Sequence, residues 1–187
     1  WVILDNDACQ FSYRNSLFKK EKNRYIIAEV QFLLQKQPTL HTDYGVIREV
    51  LHQKQIKQAS IEDISNAVIE IRTAKLPDPL VLGNAGSFFK NPTVSIEQYN
   101  QLKQSHTDMI AFPISDTQYK LAAGWLIEQA GWKGKKKGPV GCYEKQALVI
   151  VNYNQATGKE IYNFSEAIIQ SVNNMFGIQL EREVNIV

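Results

Sequence analysis

Residues 147–177 read ALVIVNYNQATGKEIYNFSEAIIQSVNNMFG, and this stretch decides the fold class. Its first seven residues form a short apolar run, Ala147 to Tyr153, that reads as a central strand. Thr157 with Glu160 three positions on then opens a helix, which stops at Gly177. A buried strand followed at once by an amphipathic helix is a two-layer signal.

Upstream, residues 121–129 predict a short helix closed by Gly131, and Ser95 with Gln98 opens another in SIEQYNQLKQ. Ser60 and Asp63 resemble a capping box, followed at helical spacing by Ile61, Ile64, Ala67, Val68 and Ile71. That helix should end before Leu76-Pro77-Asp78-Pro79, because proline disfavours helix at itself and just before. The doubled proline is the candidate domain boundary. In RYIIAEVQFLLQK, residues 24–36, Ile26, Ala28, Val30, Phe32 and Leu34 share one side at period two. Tyr25, Ile27 and Leu33 form a second apolar run in the other phase, so the strand expected here is covered on most of both faces. Helices and strands without a regular βαβ rhythm predict an α+β fold.

The chain of 187 residues, 44% hydrophobic, is long enough for one good core or two small ones. Its 21 basic and 19 acidic residues leave +2, too little for the electrostatic footprint of a dedicated nucleic-acid binder. Two cysteines, Cys9 and Cys142, lie far apart in no CxxC arrangement, which excludes a disulfide framework or zinc ribbon and fits reduced thiols in a cytoplasm. No apolar run approaches the ~20 residues that span a bilayer, so no membrane partner is expected. The chain opens at Trp1 in WVIL and closes at Val187 in EVNIV, both strand-like, whereas domains normally start and stop in polar surface residues. The expectation is a fragment.

Candidate chemistry lies in three places. In GNAGSFFKNP, residues 83–92, small residues leave no bulk beside Ser87, so the backbone there can approach another object or take unusual φ values. A plain turn uses the same letters. In IQLEREVNIV, residues 178–187, period two puts Ile178, Leu180, Val184 and Ile186 on one face, interrupted by Arg182, and Gln179, Glu181, Glu183 and Asn185 on the other. That second face reads either as a solvated sheet surface or as carboxylates lining a cleft. Arg14 stands in QFSYRNS, its planar fork suited to a carboxylate or phosphate. The run 133–138, KGKKKG, reads as a wet loop, with phosphate binding the alternative. His41, His52 and His106 lack metal-ligand spacing, and no GxSxG, HExxH or GxxxxGK[ST] occurs, so no metal is expected.

Taken together, QFSYRNSLFK, TDYG, IRTAKLPDP, GNAGSFFKNP, LAAGWLIEQAGWKG, QALVIVN and LEREV occur in the order and spacing of the C-terminal half of the UDP-N-acetylenolpyruvoylglucosamine reductase family. The chain resembles that family over essentially its whole length, with GNAGSFFKNP and AGWLIEQ the most specific segments. The family is also called UDP-N-acetylmuramate dehydrogenase, the bacterial flavoenzyme of peptidoglycan precursor synthesis. The resemblance implies an NADPH-dependent, FAD-containing oxidoreductase of the cytoplasm, serving cell-wall biogenesis and with it cell shape, the cell cycle and cell division.

By resemblance, hydride from reduced FAD reaches the methylene carbon of an enolpyruvyl ether, and negative charge spreads onto the adjoining carboxylate. Arg14 and Glu183 are implied at that carboxylate, Glu183 as a protonated donor kept neutral by burial. Ser87 is implied as the proton donor to the carbon alpha to the carboxylate, a weak acid usable only beside a very basic carbon in a dry site. Tyr44, Lys75, Asn91, Gln146, Lys120 and Lys133 are implied at the UDP-sugar, with the diphosphate facing Lys75 and Tyr44. The residues that hold the cofactor are not assigned. Phe112 stands where some members carry a tyrosine. In LEREV, Arg182 stands where a proline usually separates the two glutamates, free to alter the strand or pair with Glu181.

The resemblance implies that residues 1–76 are the back part of an FAD-binding α+β domain. Residues 77–178 would be a small α+β substrate-binding domain, and residues 179–187 a strand returning toward the flavin. The family's FAD site is built mainly by an N-terminal half, so the fragment alone is expected to bind FAD weakly or not at all and to be inactive. The alternative is a non-catalytic nucleotide-sugar or RNA-binding module, using the basic loop with Trp125, Trp132 and Tyr143.

Overall fold

The computed structural model describes residues 1–42 and 46–186. The chain divides into two units, Trp1–His41 and Thr42–Val187.

In the first unit the only regular element among the described residues is the single-turn α1 (Leu17–Lys20). A tight turn bridges Ser12 to Asn15 and carries Arg14 at its tip with φ +53°. Cys9 and Ser16 are buried, Leu17 N–H donates to the Cys9 carbonyl, and Phe18 meets Tyr25 edge-on at 5.7 Å. Residues 25–35 form no ladder among the described residues, and the side chains from residue 26 on are exposed, with Ile27 at 57% and Leu33 at 102%. This corrects the expected double-covered strand. Alternation gives a segment two apolar faces, but it becomes a strand only where a neighbour supplies ladder bonds.

The second unit is α+β. Its order is α2 (Ile47–Gln53), α3 (Ile61–Lys75), β1 (Gly83–Ser87), β2 (Thr93–Ser95), α4 (Ile96–Ser105), β3 (Ala111–Ser115), β4 (Gln118–Leu121), α5 (Ala123–Gln129), β5 (Lys136–Lys137), β6 (Val140–Cys142), β7 (Val149–Asn152) and α6 (Gly158–Phe176). Among the described residues one antiparallel sheet runs β1-β7-β6-β5 and a second runs β2-β4-β3. β7 is interior, as its apolar run predicts, with Val149, Ile150 and Val151 all buried.

The helix ends follow the local chemistry. Thr157 and Glu160 close a full capping box on α6, and Gly177 ends it in the left-handed region at φ +65°. Its stripe of Phe164, Ile168, Ile169, Val172 and Phe176 enters the main core, with Phe89, Leu121, Leu126 and Val140. Ser60 and Asp63 form the second capping box, on α3, which ends at Lys75 before Pro77. Ser95 caps α4. α2 and α3 carry a small core of their own around Ile47, Leu51 and Ala67.

Two expectations need correction. The helix read from residue 121 starts at Ala123, because Leu121 is the last residue of β4, fully buried opposite Ala111. The final strand reduces to an isolated bridge between Arg182 and Phe89. Ile178 and Leu180 are buried as alternation predicts, but Val184 is only half-buried and Ile186 is exposed. Arg182 pairs with Glu166 of α6 rather than with Glu181, which pairs with Lys90.

Candidate functional site

The oddity of residues 83–92 resolves into a bulge. Asn84 Nδ2 donates to the carbonyls of Leu82 (2.9 Å) and Pro77 (3.3 Å), while its Oδ1 accepts from Gly86 N–H at 3.0 Å. This side-chain turn puts Gly86 at φ +70°, where a side chain would be strained although nothing stands within 4 Å of the added carbon. Conformation, not crowding, demands the glycine.

Asn84 pairs with Val151 and Ser87 with Val149, so Ala85 and Gly86 lie opposite the single residue Ile150. Such a bulge re-aims the residue that follows it. That residue is Ser87, half-buried, and it is immediately anchored by Phe88 and Phe89, 4% and 1% exposed with ring centroids 5.4 Å apart.

The chain terminus meets the same place. Lys90 N–H donates to the Glu181 carbonyl at 2.9 Å, and Glu183 N–H donates to the Phe88 carbonyl at 2.8 Å. The Phe89–Arg182 bridge between them fixes the register. Ser87 and Glu183, remote in sequence, thereby occupy neighbouring backbone positions, Glu183 half-buried. The Lys90–Glu181 ion pair clasps the outer edge of this junction.

A second group gathers where α5 begins. Asn91 Oδ1 accepts from Ala123 N–H at 2.9 Å, closing the first turn of the helix. Gln146 Oε1 lies 3.4 Å from where a side-chain carbon on Gly124 would stand, and accepts from Leu148 N–H at 3.4 Å. Leu121 N–H donates to the Pro92 carbonyl, and Lys120, one residue earlier, sits in register between Thr93 and Phe112.

The sequence model for the UDP-N-acetylenolpyruvoylglucosamine reductase C-terminal domain matches residues 78–187. The chain belongs to the UDP-N-acetylenolpyruvoylglucosamine reductase family. It is 47% identical over 183 residues to a UDP-N-acetylenolpyruvoylglucosamine reductase of Pseudomonas aeruginosa, covering 98% of this chain and 54% of that protein. It is 50% identical over 182 residues to the one of Bdellovibrio bacteriovorus, covering 97% of this chain and 54% of that protein. The chain thus spans about half the length of the curated relatives it matches.

The remaining residues that the reductase family pattern implies lie on other elements. Arg14 lies exposed in the first unit. Lys75 is the exposed last residue of α3. Lys133 lies beyond the far end of α5, its Nζ 2.7 Å from Glu128 Oε1. Tyr44 lies outside the described residues. Asn84 was missed, although an Asn two positions before a Gly is a readable turn signal. Phe112 is 53% exposed, with its ring on the edge strand β3.

Two of the three rings named for a base-stacking module are core side chains. Trp125 and Trp132 are 9% and 6% exposed, Trp132 packed edge-on to Phe164. In the basic loop, Lys135 Nζ lies 4.1 Å from the Trp132 ring centroid and Lys136 Nζ 3.8 Å from that of Tyr153. Each of these two cations lies within cation–π range of a ring. Among the described residues no group of three or more His, Cys, Asp or Glu is placed to hold a metal ion. No helix among them is long and apolar enough to cross a membrane.

Proposed function

We propose that the full-length protein reduces the enolpyruvyl ether of UDP-N-acetylglucosamine to UDP-N-acetylmuramate in peptidoglycan precursor synthesis, in the cytoplasm and at the expense of NADPH. Bound FAD would supply the hydride to the methylene carbon. The reading is supported by the bulge at Gly86, which carries Ser87 beside the backbone of Glu183.

Ser87 then gives a proton to the carbon alpha to the carboxylate, completing addition of two hydrogens across the double bond. Arg14 and Glu183 hold the charge that collects on the carboxylate meanwhile. Asn91, Gln146 and Lys120, gathered around the start of α5, contact the UDP-sugar together with Lys133, and Lys75 and Tyr44 take its diphosphate.

A flat flavin ring would meet open backbone at Gly86, next to Ser87, where nothing stands within 4 Å of the position of a side-chain carbon. On the family resemblance we assign residues 1–76 to the back part of the FAD domain, residues 77–178 to substrate binding and residues 179–187 to the returning tail. The 187-residue chain alone binds flavin weakly or not at all and turns over nothing.

In the full-length protein, Ser87→Ala should leave flavin reduction by NADPH intact while slowing turnover of the enolpyruvyl substrate roughly 10²–10⁴-fold. Rapid-mixing absorbance of the flavin separates the two half-reactions. If both survive, Ser87 is a turn residue and the mechanism fails.

A further inference from the structure

Arg182 interrupts an otherwise alternating segment with a charge directed at the core side. Its guanidinium keeps a side-chain exposure of only 18%. Nε donates to Ser165 Oγ at 2.8 Å and Nη2 to Glu166 Oε2 at 2.6 Å, while the guanidinium carbon lies 4.4 Å from the Tyr162 ring centroid. Ser165 is fully buried and its own O–H donates to the Tyr162 carbonyl at 2.7 Å. All three partners lie on α6 (Gly158–Phe176), the helix that carries the apolar stripe of the main core.

A charge this poorly solvated is stable only with its donors met, so the fork is committed to one geometry. The consequence reaches the next residue. Residues 181–183 are bonded to the segment that continues β1 through Lys90 N–H to the Glu181 carbonyl and Glu183 N–H to the Phe88 carbonyl, with the Lys90–Glu181 ion pair at the outer edge. Between those bonds stands the Phe89–Arg182 bridge, with Phe89 locked in the core on one side and Arg182 locked onto α6 on the other. A short pair of backbone bonds frays readily, and the Arg182 side chain, held on α6, anchors the bridge between them.

We propose that Arg182 is a positioning residue for Glu183: by tying the final segment to Ser165, Glu166 and Tyr162 of α6, it holds Glu183 in register against Phe88, beside Ser87. For its effect on turnover the inference rests on the proposed function; for the anchoring itself it does not.

The test uses the full-length protein with Arg182→Met, which keeps the apolar stem and removes the fork, and Arg182→Lys, which keeps the charge. Amide hydrogen exchange at Glu183 and Lys90 should accelerate about tenfold or more in Arg182→Met and less in Arg182→Lys. Turnover of the enolpyruvyl substrate should fall about 10–100-fold with KM and the NADPH half-reaction unchanged, and recover in part with lysine. Wild-type exchange at both amides would overturn the proposal, as would accelerated exchange with undiminished turnover. Should Arg182→Met fail to fold, Glu166→Gln, which leaves the Ser165 and Tyr162 contacts, must reproduce the exchange effect in weaker form or the proposal falls. If Ser87→Ala also leaves turnover unchanged, the proposed function is what fails, and the exchange readout alone then decides the anchor.

Discussion

Residues 25–34 and 178–184 carry the same alternation of apolar and polar side chains, and the fold treats them oppositely. In the terminal segment Ile178 and Leu180 are 3% and 2% exposed, members of the main core, and Arg182 bridges to Phe89. In the earlier one Ile26 is 97% and Leu33 102% exposed. Period two therefore states what a segment can bury, not what it does bury. The free energy of burial, about 25 cal/mol per Å² of apolar surface, is gained only where another element supplies the matching face.

The contrast breaks most directly by truncating one leucine on each side. In the 187-residue chain, Leu180→Ala should cost about 2–5 kcal/mol, since it empties a filled core position. Leu33→Ala should stay within about 0.5 kcal/mol. Urea unfolding of both variants measures the difference, and equal losses would mean that Leu33 is covered in solution.

A pH dependence sharpens the packed side of the comparison. Burial pushes the Cys142 thiol up from its ordinary 9.0 to about 12, and its Sγ–H donates to the Ala147 carbonyl at 3.0 Å. Above pH 9.0 the unfolded chain loses this proton while the native chain keeps it, so the unfolded state is favoured as pH rises through the window from 9.0 to about 12. Stability should decline there by at most ~1.4 kcal/mol per pH unit and be insensitive to this group below the window. Cys142→Ala should make the decline across that window shallower in unfolding curves taken at successive pH values, leaving the part due to Tyr153, whose hydroxyl burial also pushes up, even though it lowers stability throughout.

The smallest effect concerns two glycines, both with open space where a side chain would go. Gly86→Ala should cost roughly 1 kcal/mol because of its φ of +70°. Gly158→Ala, in the first turn of α6 without a positive φ, should instead stabilise by about 0.4–1 kcal/mol. Opposite signs in thermal unfolding would establish that conformation rather than space governs the first position.

What could be read without coordinates was local. Thr157 with Glu160, Ser60 with Asp63 and Ser95 with Gln98 each satisfy amides within one helical turn, so their pairing needs nothing from elsewhere in the chain. The sheet β2-β4-β3 was not legible. Its strands are three to five residues long, one contains Pro113, and its outer row of Thr93, Lys120 and Phe112 has no apolar alternation to betray it. At the candidate site Ser87 was visible as a serine among small residues, but the bulge depends on Val149 to Val151 across the sheet. Asn91 read as a substrate contact also proves to cap α5, a role set by a neighbour 32 positions away.

The sequence by itself determined the capped starts of α3, α4 and α6, the central strand β7, the α+β class and the family, because these rest on short-range hydrogen bonding, periodicity and motif order. Only the tertiary structure decided which alternating segment found a partner, that Arg182 reaches α6 instead of Glu181, and that Ser87 and Glu183 become neighbours. Such choices depend on contacts between residues far apart along the chain, whose register no local pattern encodes.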